Sequence, residues 1–309
     1  MGSRPVAVWD KDIREKNLRF LKNFDSRQFE YQADVHLERI GTKDAQQSAI
    51  AIRTTYGLAL ETLLSLLGAT LQAPGCIFGW LSKYKERHLG HIIRGIEGNE
   101  KIDVRFKGDL TWQTVSETIH RNLIIADKVL EKEIKTKFAI FWKYLAEEYL
   151  NYTLREEFNC AKHGLRIQPG GFRIGLGIQK EINVPVPLER LQWTNRHEFG
   201  STVFTLEEIV EDSLDHRIIE KSHNWDIASL VSRIRLISKS INNIVTFLLI
   251  VNGEDPGRQR FFWPEDMKDF ERVGESDCEI TSISLNSPIK ASDIAQTRDI
   301  DVKKSYSDE

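Results

Sequence analysis

No run of about 18 uninterrupted apolar residues occurs in the 309-residue chain, so no membrane-spanning helix is expected. Cysteine is scarce. Its three copies, Cys76, Cys160 and Cys278, lie far apart, which excludes a disulfide scaffold and a four-cysteine zinc site. Neither sign of charge dominates: 43 Lys plus Arg stand against 46 Asp plus Glu, for a formal charge of −3. A generally basic nucleic-acid coat is thereby excluded, while a local basic patch is not. The opening stretch MGSRPVAVWDKDIREK lacks the apolar core of a signal peptide, so the chain is expected to be cytoplasmic. Gly171, Gly175 and Gly177 have the wrong spacing for a dinucleotide fingerprint. His88 and His91 have only Glu86 near them, too few ligands for a metal, so neither cofactor nor metal is expected.

What is present is helical. Residues 1–43 read as a short amphipathic helix followed by an extended stretch, 29–41, whose mixed β-branched and aromatic content suits a strand or a loop. The Ala- and Leu-rich run from Asp44 to Gln72 predicts a helix stopped by Pro74-Gly75, and a second helix follows from Cys76 to Gly95. TWQTVSETIHRNL predicts another, and a single long helix is expected from Ala126 to His163, ended by Gly164. LRIQPGGFRIGLG then places Pro169-Gly170 between two alternating runs, a β-hairpin inserted at 165–177. STVFTLEEI reads as a strand and a helix start. Asp226 to Val251 is apolar on most faces and reads as a buried core helix, ended by Asn252-Gly253. Asn242-Asn243 within it would fix a helix–helix register. A bundle over 44–253, a short helical extension over 254–275 and a disordered tail over 276–309 complete the expected organisation.

The helix from Ala126 to His163 carries the chemistry. At about 100° per residue, Phe138, Phe141, Trp142, Leu145, Tyr149 and Tyr152 form one apolar stripe. Asn159 and His163 continue that stripe, with Arg155 at its flank. The spacing i, i+4, i+8 stacks the three polar side chains in a column. Polar groups on a buried face need partners, so the column is either a structural network or a site. In the expected hairpin Arg166 faces Arg173, an unfavourable like-charge pair that an anion would relieve. Lys162 and Arg155 lie nearby in sequence. The apolar stripe exceeds what one neighbouring helix would cover, so a homodimer is expected.

With Arg155 upstream, the segment FNCAKHG resembles the HEPN superfamily of helical nucleotide-binding domains over roughly residues 44–165. Asn159 and His163 keep the family's Asn-x-x-x-His element. Phe158 stands where Arg often precedes the Asn. The resemblance implies a helical bundle and a homodimeric, metal-independent RNA-cleaving site. There His163 would be the base or acid, Arg155 the phosphate clamp and Asn159 the orienting group, in a toxin or phage-defence setting. Lys162, Arg166 and Arg173 would hold the substrate. Two other functions fit the same residues: a non-catalytic helical interaction protein in which the column is structural, and a helical protein that binds a small molecule or nucleotide.

Overall fold

The computed structural model describes residues 10–96, 98, 102, 104, 109–162, 166–180, 184–194, 197–210, 213–274, 278 and 280–290. The chain divides into two compact units. One is helical and comprises Met1–Thr42, Ala51–Glu156 and Ala228–Glu275. The other contains the sheets and comprises Lys43–Ile50, Glu157–Ile227 and Ser276–Glu309. The protein is mainly α with a smaller antiparallel β part.

In chain order the helices are α1 (Asp10–Lys22), α2 (Arg27–Leu37), α3 (Ala45–Gln72), α4 (Ile77–Lys83), α5 (Glu86–Ile96), α6 (Trp112–Ile119), α7 (Lys128–Leu150), α8 (Tyr152–Lys162) and α9 (Ile227–Val251). Their starts follow from local chemistry. Thr111 and Thr114 close a capping box on α6, and the Asp127 carboxylate accepts from the Val129 and Leu130 amides at 2.8 and 3.1 Å to start α7. Asn252 and the positive φ of Gly253, 101°, end α9 as its sequence implies.

The core of the helical unit is built from Leu63, Leu64 and Leu67 of α3, Ile92 and Ile93 of α5, Phe138 and Trp142 of α7, and Ile234, Ile241 and Leu248 of α9. By length and composition α3 and α9 could each cross a membrane, contrary to the sequence expectation. Their most apolar windows are 56% and 67% buried inside the protein, as core helices are. The stripe on α7 is also filled from within: Phe138, Phe141, Trp142, Leu145 and Ala146 are buried, and the Trp142 indole donates to Ser240 Oγ at 2.9 Å. These members of the stripe are thus covered from within the chain.

Several expected elements differ. The stretch 29–41 is mostly helix α2, with Phe29 and Ala33 buried one turn apart, so burial of one face overrides weak β propensity. The helix expected from Cys76 to Gly95 breaks at Tyr84, whose ψ is 155°. There the Tyr84 ring stacks on Trp80 at 5.1 Å and its hydroxyl donates to Glu61 Oε1 at 3.2 Å. The helix expected from Ala126 to His163 breaks at Asn151, with φ −70° and ψ 114°. The Asn151 amide closes the last turn of α7, and its carbonyl accepts from the Arg155 amide at 3.3 Å to open α8. Asn is suited to such a junction and poorly suited to a helix interior.

The β part is a four-stranded antiparallel sheet of order β1-β4-β5-β6, with β1 Ile167–Pro169, β4 Gly200–Val210, β5 Ser213–Asn224 and β6 Ser282–Lys290. A separate two-stranded ribbon pairs β2 (Gly175–Leu176) with β3 (Gln192–Trp193). Ser201 and Val203 on β4 and Ile219 and His223 on β5 point inward with period two. The expected hairpin at 165–177 does not form. Ile167 pairs with Val203 instead, and Gly175 with Trp193. Gly170 and Gly171 hydrogen-bond to the carbonyls of Gly200 and Glu198 at 3.0 and 3.2 Å. A Cβ on Gly171 would lie 2.0 Å from the His197 carbonyl oxygen, so glycine there lets this loop close onto 198–200 rather than onto itself.

STVFTLEEI is strand throughout, without a helix start. The expected tail disorder over 276–309 is wrong for 282–290, because β6 pairs with β5 along nine residues. Most of its side chains are exposed, so backbone hydrogen bonding to an open edge holds it more than apolar burial does. Beyond Lys290 the tail lies outside the described residues.

Candidate functional site

Arg155 and Asn159 of the expected column share helix α8, four residues apart. The break at Asn151 makes α8 a helix separate from α7, which carries the apolar stripe. In the helical unit the Arg155 Nε donates to Glu86 Oε1 at 2.8 Å, with the two side chains one-third and about half exposed. Arg155 thus ties the start of α8 to the start of α5. Close by, burial and the carboxylates of Glu61 and Glu86 push the Tyr149 phenol above its usual range.

Asn159 belongs to the sheet unit, half-buried on α8. His163, the expected base, lies outside the described residues. Lys162 is exposed, its Nζ 5.5 Å from the Phe158 ring centroid. Arg166 is exposed immediately before β1. Because β1 pairs with β4, Arg166 and Arg173 do not face each other and no like-charge conflict arises.

Arg173 is instead part of a feature absent from the sequence reading. Its guanidinium lies 4.3 Å from the ring centroid of Trp193, which is 41% exposed. Trp193 pairs across the ribbon with Gly175, and a Cβ there would meet the indole at 2.9 Å. The ring therefore covers the glycine, as aromatics cover strand glycines elsewhere. Arg173, two residues before Gly175, projects from the same face. The ladder extends one step further, with the Thr194 amide donating to the Ile174 carbonyl at 2.9 Å and the Ile174 amide to Thr194 Oγ1 at 3.0 Å. The indole and guanidinium thus form a stacked pair on a braced ribbon.

The sequence around this pair is rich in positive charge. From Lys162 to Glu198 the sequence has six Lys or Arg against three Glu and no Asp. Arg166, Arg173, Lys180 and Arg190 are all exposed. Leu176, Ile178 and Leu188 are exposed there too, at 64%, 87% and 69%. These side chains stand in water along the same stretch of chain as Trp193 and Arg173.

Several polar groups buried in the sheet unit bridge its segments. The Glu157 carboxylate, 1% exposed, accepts from Ser201 Oγ at 2.7 Å and from the Trp225 indole at 2.9 Å. Asn224 bridges the Phe172 backbone and the Ile280 carbonyl. Cys278 Sγ lies 3.4 Å from His197 Nδ1. Cys160 is buried, as a small apolar residue would be. Among the described residues no group of three His, Cys, Asp or Glu could hold a metal.

No known protein family, curated protein or solved structure matches the chain.

Proposed function

We propose that the chain binds RNA in single-stranded form through the ribbon of the sheet unit. The observation that carries this reading is the exposed Trp193 indole with Arg173 stacked on it. Every nucleobase has a π face, so an exposed aromatic beside cations binds single strands without needing base pairing. Arg166, Lys180 and Arg190 add positive charge along the same stretch of chain for phosphates. A HEPN-like helical bundle belongs to the same proposal, resting on helical content and the Asn159-x-x-x-His163 spacing. The cleavage step that the resemblance implies has less support, since Glu86 engages the Arg155 guanidinium. Binding without turnover is therefore the expected activity.

The test is fluorescence anisotropy with a labelled single-stranded RNA pool at two salt concentrations. Trp193→Ala should weaken binding about tenfold, in line with roughly 1–3 kcal/mol per stacked base. Arg173→Glu should weaken it and reduce the slope of log K against log salt by about 0.7. Absence of RNA binding at low salt would end this reading. The second reading, a helical interaction protein, is favoured by the exposed Leu176, Ile178 and Leu188. It would take over if a protein partner, and no RNA, were lost on Ile178→Glu.

A further inference from the structure

We propose that the helical unit holds a separate binding site for a small monocarboxylate with an apolar body. A cleft of about 220 Å³ opens where α3, α6 and α9 meet, walled by Leu67, Leu71, Val115, Ile119, Phe247 and Val251. An apolar cavity of about 150 Å³ accommodates benzene, so this one has room for roughly nine non-hydrogen atoms.

Two hydroxyls, those of Thr70 and Thr118, also reach the wall. Each already donates to a carbonyl of its own helix, Thr70 Oγ1 to Leu66 at 2.7 Å and Thr118 Oγ1 to Thr114 at 2.8 Å. Neither has a proton left for a ligand. The walls therefore favour an apolar body.

Besides Pro74, the wall holds one cation, Arg121. Arg121 follows the end of α6, its guanidinium 5.1 Å from the Phe247 ring centroid. Its Nε donates to the neighbouring Asn122 Oδ1 at 3.3 Å. Among the described residues no carboxylate pairs with it. Both Nη groups remain for an anion, and a guanidinium fork matches a carboxylate in two parallel hydrogen bonds. One exposed cation beside apolar walls selects one negative charge on a short chain or ring. A dianion would bring a second hydrated charge against the leucines.

Octanoate is a suitable probe, with 1-octanol and octylamine as uncharged and cationic counterparts of the same chain. Isothermal titration of the full chain should show saturable one-site binding of octanoate, weaker binding of octanol and none of octylamine. Arg121→Gln should weaken octanoate at least about tenfold while leaving octanol unchanged, as loss of a charge-assisted pair requires. Val251→Trp, at an exposed position on the wall, should block both. If that variant does not fold, the Arg121→Gln comparison decides alone. No saturable octanoate binding at millimolar concentration, equal affinity for octanoate and octanol, or an unchanged Arg121→Gln variant would each overturn the proposal. RNA binding plays no part in this test, so the two proposals stand or fall separately.

Discussion

At His120 a fully buried imidazole lies between Phe138 and Trp142, with ring centroids 4.9 and 5.7 Å away. Its Nδ1 meets the Ser116 carbonyl at 2.9 Å and its Nε2 meets Asn243 Nδ2 at 3.1 Å. The amide can only donate, so Nε2 accepts and the proton sits on Nδ1. Burial holds the group down to about 4 from its ordinary 6.5. The unfolded chain therefore takes up this proton below about pH 6.5, and the fold does so only near pH 4. This contribution to stability is complete above pH 6.5, declines through that window and levels off below it, by about 3 kcal/mol in all. Urea unfolding between pH 7 and pH 4 should show the decline, and His120→Phe should flatten it. An unchanged slope in the variant would contradict the assignment. Two arginines offer a contrast at the same scale. Arg233 donates to Glu148 Oε1 at 2.9 Å, and Tyr56 donates to the other oxygen of that carboxylate. Arg233→Met strands a mostly buried carboxylate and should cost about 3–5 kcal/mol. Arg155→Met breaks a half-exposed pair and should cost about 1 kcal/mol or less. Denaturant midpoints of the two variants measure the difference directly.

Among the elements, β6 overturns an expectation with practical weight. Its sequence, SISLNSPIK, offers little to bury, yet it completes the sheet along β5. Deleting residues 276–309 should therefore lower the melting midpoint of the sheet unit by several degrees. It would also remove the Ile280 carbonyl to which Asn224 donates at 2.9 Å. A truncated chain melting like the full one would show that β6 adds nothing. Helices α3 and α9 were legible because long apolar runs between clear stop signals leave few alternatives. The elbows at Tyr84 and Asn151 were not, since neither position carries the Gly or Pro that stops a helix outright. The sheet was illegible for another reason. Ile167 pairs with Val203 and Gly175 with Trp193, and local patterning does not encode pairing across such separations. The site shared this fate. Arg166 and Arg173 were visible as cations, but their expected opposition depended on a hairpin that does not form. Trp193 gains its place only once it lies over Gly175.

Across the whole molecule, both units leave large apolar side chains exposed, such as Ile124 and Val129 in the helical one, but those of the sheet unit gather along one stretch of chain. The helical unit places large side chains in its interior, and its polar groups there are tied into networks such as Asn17 with Asn252 and Pro74. The sheet unit carries Leu176, Ile178, Val184, Leu188 and Trp193 in water along one stretch of chain, beside a surplus of cations. On the proposed reading, the stacked Arg173 and Trp193 receive an unpaired nucleobase and its phosphate. The most direct measurement is photo-cross-linking of the full chain to 4-thiouridine-substituted single-stranded RNA, with the modified peptide identified by mass spectrometry. Cross-links should fall between residues 172 and 194 and disappear in Trp193→Ala. Cross-links confined to the helical unit around Glu86 and Arg155, or none at all, would contradict the account.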